Sequence, residues 1–350
     1  MSIGYDMQRH PDRRNSSGRC RKACLVLIES WTSDHNYLNT FKRALLEANI
    51  EAEIITIPFF PPQDLTPEKL KGIKTTIRMR KDAGLFVIFF PGTEEVFLKD
   101  PDWSFVCSHY KCWYGGKCTV IPHVWSHIRT PISITPLKWT HKPAFRIGFM
   151  GAAYSDSRVA KVASKLPLSV KNWLLRGHYL QWGGALARLN ELGLSMKHIN
   201  TFPRLETWKM LNIKKDVIEE GTIELVDTHF TGSEQDKDRY IRHLAAMTYV
   251  VCPRGIENFS IRVYEALKYG RIPVIIDTEM VLPTEIDWDQ VAIRIPYDRL
   301  NDVYDIIAND YCSRSADEFL ARQRAAFSTM RELESMRWLT SRLSDVLAGT

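Results

Sequence analysis

The chain has 350 residues, with 47 Lys and Arg against 41 Asp and Glu for a net charge of +6, and 45% of it is apolar. That balance excludes an intrinsically disordered chain, 18 Gly and 17 Pro exclude a collagen-like or low-complexity one, and the longest nearly unbroken apolar run, Leu85 to Pro91, is far below the ~18–20 residues of a membrane span. At roughly 100–200 residues per domain, the length predicts two domains, each able to bury its own core.

Residues 1–22 read as a basic, disordered tail. Arg9, Arg13, Arg14, Arg19, Arg21 and Lys22 stand against Asp6 and Asp12, so +4 of the charge sits at the N-terminus and the rest of the chain is nearly neutral. Such a run is a solvated segment, and no nucleic-acid partner is expected from it. Arg13-Arg14 resembles a twin-arginine export signal, but the polar stretch Asn15 to Lys22 offers nothing apolar to insert. With seven cysteines, an odd number, the expected location is the reducing cytoplasm. At most, peripheral membrane association is expected.

Short apolar runs then alternate with stretches at helical spacing, the pattern of βα units in a parallel sheet. Cys24 to Ile28 predicts a strand, and Asn36 to Ala48 a helix with Leu38, Phe41, Leu45 and Ala48 on one face. Glu51 to Ile57 predicts a strand, Thr75 to Asp82 a charged helix, and Leu85 to Phe90 and Thr119 to Ile121 two more buried strands. Cys107, His109, Cys112, Cys118 and His123 cluster here, but their spacings miss the zinc-knuckle pattern, so ordinary thiols and no metal site are expected. A boundary near Lys142 follows a Pro- and Trp-rich stretch. Phe145 to Met150 then predicts a strand, Ala185 to Leu192 a helix, Arg239 to Met247 a helix, Tyr249 to Cys252 a strand, Ser260 to Tyr269 a helix, and Ile272 to Ile276 and Val291 to Ile295 strands. The C-terminus reads as one long helix from Ser315, where Ser315 and Glu318 form a capping box. Its apolar stripe is Phe327, Met330, Leu333, Met336, Leu339 and Leu343. The expected division is therefore residues 1–22 as tail, 23–141 and 142–312 as two α/β halves, and 313–350 as a helix lying back toward the first half.

Chemistry concentrates between Tyr249 and Asp277. Arg254 and Gly255 follow a buried strand at its C-terminal end, the edge of an open α/β sheet where ligands bind. Ser260 is a candidate N-cap, so the first amides of the next helix would face the same crevice and favour an anion such as a diphosphate. Arg254 and Arg262 could pair with phosphate oxygens through the guanidinium fork. Asn258 belongs to the same candidate set. Glu257 and Glu265 could each accept two hydrogen bonds from vicinal hydroxyls, although Arg262 and Glu265 at i, i+3 could equally form an exposed helix pair.

This segment resembles the signature of the exostosin glycosyltransferases, glycosyltransferase family 47. The likeness lies in Cys252 to Gly255, Ser260 to Ala266 and Gly270 to Ile275, and continues through Leu282 to Trp288. Thr284 stands where the family has phenylalanine. Weaker likeness lies in Ala83 to Val87, Lys117 to Pro122 and Phe145 to Gly151. The resemblance implies a GT-B type fold of two facing Rossmann-like domains. A glycan or lipid-linked glycan acceptor would lie on the N-terminal side, and a nucleotide-sugar, a UDP-sugar in this reading, in the second half. It further implies inverting transfer without metal or other cofactor, in cell-surface or exopolysaccharide biosynthesis. By motif, Arg254 and Arg262 would hold the diphosphate and Glu265 the ribose. Animal and plant members generally carry a membrane anchor, and this chain, which shows none, resembles a soluble bacterial-type member.

An inverting reaction needs a general base across the cleft. The loop after the first strand holds Asp34 and His35, which are the first candidates, although Asp34 could simply cap the helix that follows. Glu94 and Glu95 come next, then His123 and His127. Glu257 and Glu265 also match the Glu-x7-Glu spacing of retaining glycosyltransferases, which is the alternative reading. A non-enzymatic nucleotide-binding protein with the same cleft is a third.

Overall fold

A computed structural model describes residues 21–28, 35–57, 67–90, 101–106, 118–122, 137–151, 165–179, 196–227, 233–255 and 258–348. The strands are β1 (Arg21–Ile28), β2 (Ile50–Ile57), β3 (Phe86–Phe90), β4 (Trp103–Val106), β5 (Cys118–Val120), β6 (Ile147–Met150), β7 (Ile223–Val226), β8 (Tyr249–Cys252), β9 (Ile272–Asp277) and β10 (Ile293–Pro296). The helices are α1 (His35–Glu47), α2 (Pro67–Asp82), α3 (Leu168–Tyr179), α4 (Met196–Lys215), α5 (Glu234–Ala246), α6 (Ile261–Lys268), α7 (Trp288–Val291), α8 (Val303–Ser313), α9 (Ala316–Leu333) and α10 (Met336–Ala348).

The strands form two parallel five-stranded sheets, ordered β2-β1-β3-β4-β5 and β10-β9-β8-β6-β7. The expected α/β architecture of two halves is therefore present. In each sheet the chain lays down one strand on one side of the first and then crosses to the other. The strand order thus reverses between β1 and β3 in the first sheet and between β6 and β8 in the second. Ligands of open α/β sheets bind at the C-terminal ends of strands that flank such a reversal.

Buried β-branched and aromatic residues explain why these segments are strands. Val87, Ile88 and Phe89 of β3, and Val274, Ile275 and Ile276 of β9, are fully buried, as expected where both sheet faces are covered. One apolar cluster runs from Leu25, Phe41 and Phe90 in the first half, through Leu339 and Leu343 of α10, to Leu244, Val263 and Ile275 in the second. Helix α10 packs on α1, while α9 packs on α6 and α7. The opposite face of the first sheet is covered by α2, and that of the second by α3, α4 and α8.

Several expectations are corrected. The two short strands β4 and β7 add to those expected; each has four residues, too few to display a period. Residues 166–220, where only a helix at 185–192 was expected, contain α3 and the 20-residue α4. Pro203 within α4 hides that helix from a pattern reading, because proline usually ends one. The expected helix at 185–192 lies outside the described residues. The C-terminus is two helices rather than one. The Ser315 capping box is present, but α9 stops at Leu333, and the Ser335 hydroxyl accepts the Trp338 backbone N–H at 3.1 Å, restarting the helix as an N-cap does. Most of the tail, residues 1–20, lies outside the described residues, and Arg21 and Lys22 belong to β1.

The chain between the sheets is fastened to the second half. The Leu137 carbonyl accepts from Arg271 at 3.2 Å and Gln323 at 3.1 Å. Lys142 donates to the carbonyls of Tyr311 at 2.9 Å and Arg314 at 2.6 Å. Arg271 is fully buried, and burial lowers its pKa to about 10. Its two bonds to the Ala245 carbonyl satisfy the fork that desolvation would otherwise penalise.

Candidate functional site

The reversal between β6 and β8 brings together the residue after β6, Gly151, and the loop after β8, Pro253-Arg254-Gly255. Helix α6 begins just beyond that loop. Arg262, in its first turn, reaches over the end of β6: its Cζ lies 5.1 Å from the centre of the Phe149 ring. A Cβ on Gly151 would stand 2.1 Å from Arg262 Nη2. Only glycine leaves room for the guanidinium at this edge. Arg262 Nε is buried and makes no hydrogen bond among the described residues. The result is a cation held against a ring face and backbone at the sheet edge that favours ligands.

The remaining candidates differ in what they do. Arg254 is fully buried, and its carbonyl accepts from Arg204 Nε of α4 at 2.9 Å. The Gly255 amide donates to the Phe259 carbonyl at 2.8 Å, closing the loop. Asn258 is fully buried too. Its Nδ2 donates to the Thr278 carbonyl at 3.2 Å, and the Thr278 hydroxyl donates to its Oδ1. The Asn258 amide therefore latches the β8 loop to the end of β9. Ser260 occupies the N-cap position of α6 as expected, but with φ −131° and ψ 115° its hydroxyl makes no capping bond, a correction to the expected cap. Its carbonyl instead accepts from the Val263 amide at 3.1 Å. Glu257 and Asp34 lie outside the described residues, as do Glu94, Glu95, His123 and His127. His35 is the first residue of α1.

Glu265 lies one turn beyond Arg262, facing α5. Its Oε2 accepts from the Tyr240 hydroxyl at 2.5 Å. Burial pushes the Tyr240 phenol well above its ordinary pKa, and the Glu265 carboxylate adds to that, with Arg262 acting in the opposite direction. Cys252, at the end of β8, is likewise pushed up by burial. Tyr240, Arg262, Glu265 and Cys252 thus form one cluster where α5 and α6 meet the ends of the central strands.

Beside it, α5 and the β6–β7 edge border an open cleft of about 460 Å³ lined by Met150, Glu224, Val226, Arg239 and His243 among others. His243 Nδ1 is 2.9 Å from Glu224 Oε1. Burial lowers the His243 pKa, Glu224 opposes this, and Arg262 and Arg239 add to it. Among the described residues no group of three or more His, Cys, Asp and Glu could hold a metal ion, and no helix is long and apolar enough to cross a membrane.

Tyr240 is not among the candidate residues read from the sequence, and Gly151 enters there only as the end of the Phe145 to Gly151 likeness. A signal exists for each. Tyr240 and His243 are polar side chains on the stripe that Leu244 and Met247 share, and Gly151 directly follows an apolar strand.

Residues 209–309 match the family model of the Exostosin GT47 domain. The match contains β8, α6, β9 and the latch between Asn258 and Thr278, and it bears out the resemblance seen in residues 249–290. Among solved structures, the chain is similar to a glycosyltransferase from Rickettsia africae (10% identity, 94% of this chain and 100% of that one, TM-score 0.39). It is also similar to Anabaena Alr3699/HepE in complex with UDP-glucose (9% identity, 93% and 100%, TM-score 0.37). A third is the glycotransferase of kitacinnamycin (10% identity, 94% and 99%, TM-score 0.38).

Proposed function

We propose that this protein, whose residues 209–309 match a glycosyltransferase domain, is a glycosyltransferase. In this reading it moves a sugar from a nucleoside-diphosphate sugar, a UDP-sugar, to a glycan or lipid-linked glycan acceptor in cell-surface or exopolysaccharide biosynthesis. The observation that carries the proposal is the placement of Arg262 and Glu265, two residues of the matched motif, at the strand reversal of the second sheet.

Cleaving the sugar–phosphate bond leaves negative charge on the departing diphosphate, and stabilising that charge is the main electrostatic task. Arg262, whose buried Nε makes no hydrogen bond among the described residues, and the first amides of α6, which Ser260 does not cap with its hydroxyl, would meet it. This arrangement supports transfer without metal. Arg254, fully buried with its carbonyl tied to α4, would fix the loop and place its charge beneath the diphosphate. Gly255 lets that loop approach closely, Asn258 and Ser260 shape it, and Glu265 would bind the ribose. The acceptor hydroxyl would lose its proton to Asp34 or His35 across the cleft, giving inversion. A second reading, retention, rests on the Glu257 to Glu265 spacing.

The test is hydrolysis and transfer with UDP-sugars, with and without chelator, followed by proton NMR of the product anomer. Turnover that survives chelator and yields the inverted anomer supports the proposal. Retention of configuration refutes the inverting mechanism, and failure of both Arg262→Ala and Glu265→Ala to change donor kinetics refutes the site.

A further inference from the structure

We propose that Tyr240 of α5 is a positioning residue for Glu265, holding its carboxylate in the orientation that receives the ribose hydroxyls of the donor. The inference rests on the donor-site reading above and adds to it a residue from outside the β8–α6 motif.

Geometry makes the case. Glu265 projects from α6 toward α5, and its Oε2 accepts the Tyr240 hydroxyl at 2.5 Å. A glutamate has three side-chain torsions to fix, and a carboxylate that must take two hydroxyls of one sugar gains from being fixed beforehand. Tyrosine suits the task because its ring packs against the apolar cluster of Leu244, Val263 and Leu267 while only its tip is polar. The bond also has a built-in direction. Tyr240 is kept protonated far beyond neutral pH by burial and by the carboxylate it faces, so its hydroxyl is the donor and Glu265 Oε2 the acceptor. The charge of Arg262 acts on the same phenol, and Arg262 stands one helical turn before Glu265 on α6. The segment between β7 and β8 thereby enters a site otherwise built from β6, β8 and α6.

The experiment is calorimetric titration of the full chain with UDP and with its 2′-deoxy and 3′-deoxy forms, for wild type, Tyr240→Phe and Glu265→Gln. Expected is about tenfold weaker UDP binding for Tyr240→Phe. The penalty for deleting a ribose hydroxyl, large in wild type, should shrink in both variants. That penalty is a ratio within each variant, so a general loss of stability does not move it, and thermal melts identify any variant that fails to fold. In that event Glu265→Asp, which keeps the carboxylate but shortens its reach to Tyr240, substitutes as the probe and should show the same shrinkage. If Glu265→Gln weakens UDP and flattens the penalty while Tyr240→Phe keeps both at wild-type values, the positioning role is overturned and the donor site stands. If Glu265→Gln binds UDP and its deoxy forms as wild type does, or wild type does not bind UDP, the donor reading falls and this inference with it.

Discussion

Replacing Gly151 with alanine is the sharpest test of how the sheet edge is built. The added carbon would stand 2.1 Å from Nη2 and 3.1 Å from Cζ of Arg262, whereas ordinary contact begins at 3.4 Å. The guanidinium must therefore retreat by about 1 Å, a misplacement that can cost on the order of 100-fold when the group acts on the transition state. A hydrogen bond to a charged group contributes about 1.5–3 kcal/mol, or roughly 10- to 150-fold. The expected fall in kcat/KM for the donor is thus about 10- to 100-fold. Stability should fall as well, since Gly151 has φ +157°, a conformation that L residues rarely adopt, so alanine is strained there even after the guanidinium has moved. Steady-state kinetics of Gly151→Ala, Arg262→Ala and the double variant decide the matter. If Gly151 acts only by making room for Arg262, the double variant is no worse than Arg262→Ala alone, a non-additivity expected of contacting residues. Wild-type activity in Gly151→Ala alongside a crippled Arg262→Ala would refute the reasoning, because the guanidinium's position at β6 would then not matter.

Three further outcomes follow from buried polar groups. Asn258→Ala removes both partners of Thr278 across the β8–β9 latch, and leaving a buried carbonyl unsatisfied should cost about 1–3 kcal/mol in urea denaturation; an unchanged midpoint would mean the latch is redundant. Lys171 and Glu206 form a buried ion pair at 2.7 Å, with Lys209 a second partner at 3.1 Å. Lys171→Met should therefore cost about 2–3 kcal/mol, somewhat below the usual 3–5 for orphaning a buried charge, and adding Glu206→Leu should recover most of it. The His243 pKa lies below its ordinary 6.5 in the native state, so the unfolded chain takes up its proton first as pH falls. Stability from this group is full above pH 6.5 and declines below it, by at most about 1.4 kcal/mol per pH unit for one proton. Melting curves from about pH 7.5 to about pH 5.5 should be flatter for His243→Asn, and an identical slope would assign the acid sensitivity elsewhere.

What the sequence revealed follows from how far each signal extends along the chain. Strands β3, β8 and β9 are dense in β-branched and aromatic residues and β1 carries a continuous apolar run from Ala23 to Ile28, so they stand out locally. Strand β7 has a single fully buried residue, Ile223, because it is an edge strand and only its start is covered. Its hydrophobic signal is diluted by exposure, not missing by accident. Helix α4 fails for a different reason. Its internal Pro203 removes the amide donor that the Ile199 carbonyl would otherwise receive, yet the helix continues, with Ile199, Phe202 and Leu211 buried. Burial of these residues against the second sheet holds the helix together across the proline, and no periodicity contains it. The break at Ser335 is similar, since a heptad-like stripe runs through it unbroken while the hydroxyl quietly starts a second helix.

The same distinction explains the site. Arg254, Asn258, Ser260, Arg262 and Glu265 lie within twelve residues, so a contiguous motif exposed them together, yet that motif could not assign each its task. Asn258 reads as a ligand contact, and its side chain also latches the β8 loop to Thr278; Ser260 reads as a cap and leaves its helix uncapped by its hydroxyl. Two further residues give the motif its geometry: Tyr240 on α5, just before β8, and Gly151 after β6, which reaches the motif only through the strand order, because β6 is beside β8 although it comes about 100 residues earlier in the chain. A motif thus identifies which groups would meet a ligand, whereas the positions of those groups are set by neighbours that the sheet topology selects. It follows that exchanging the β8–α6 segment for a relative's should transfer chemistry only if glycine after β6 and a hydroxyl donor on α5 travel with it.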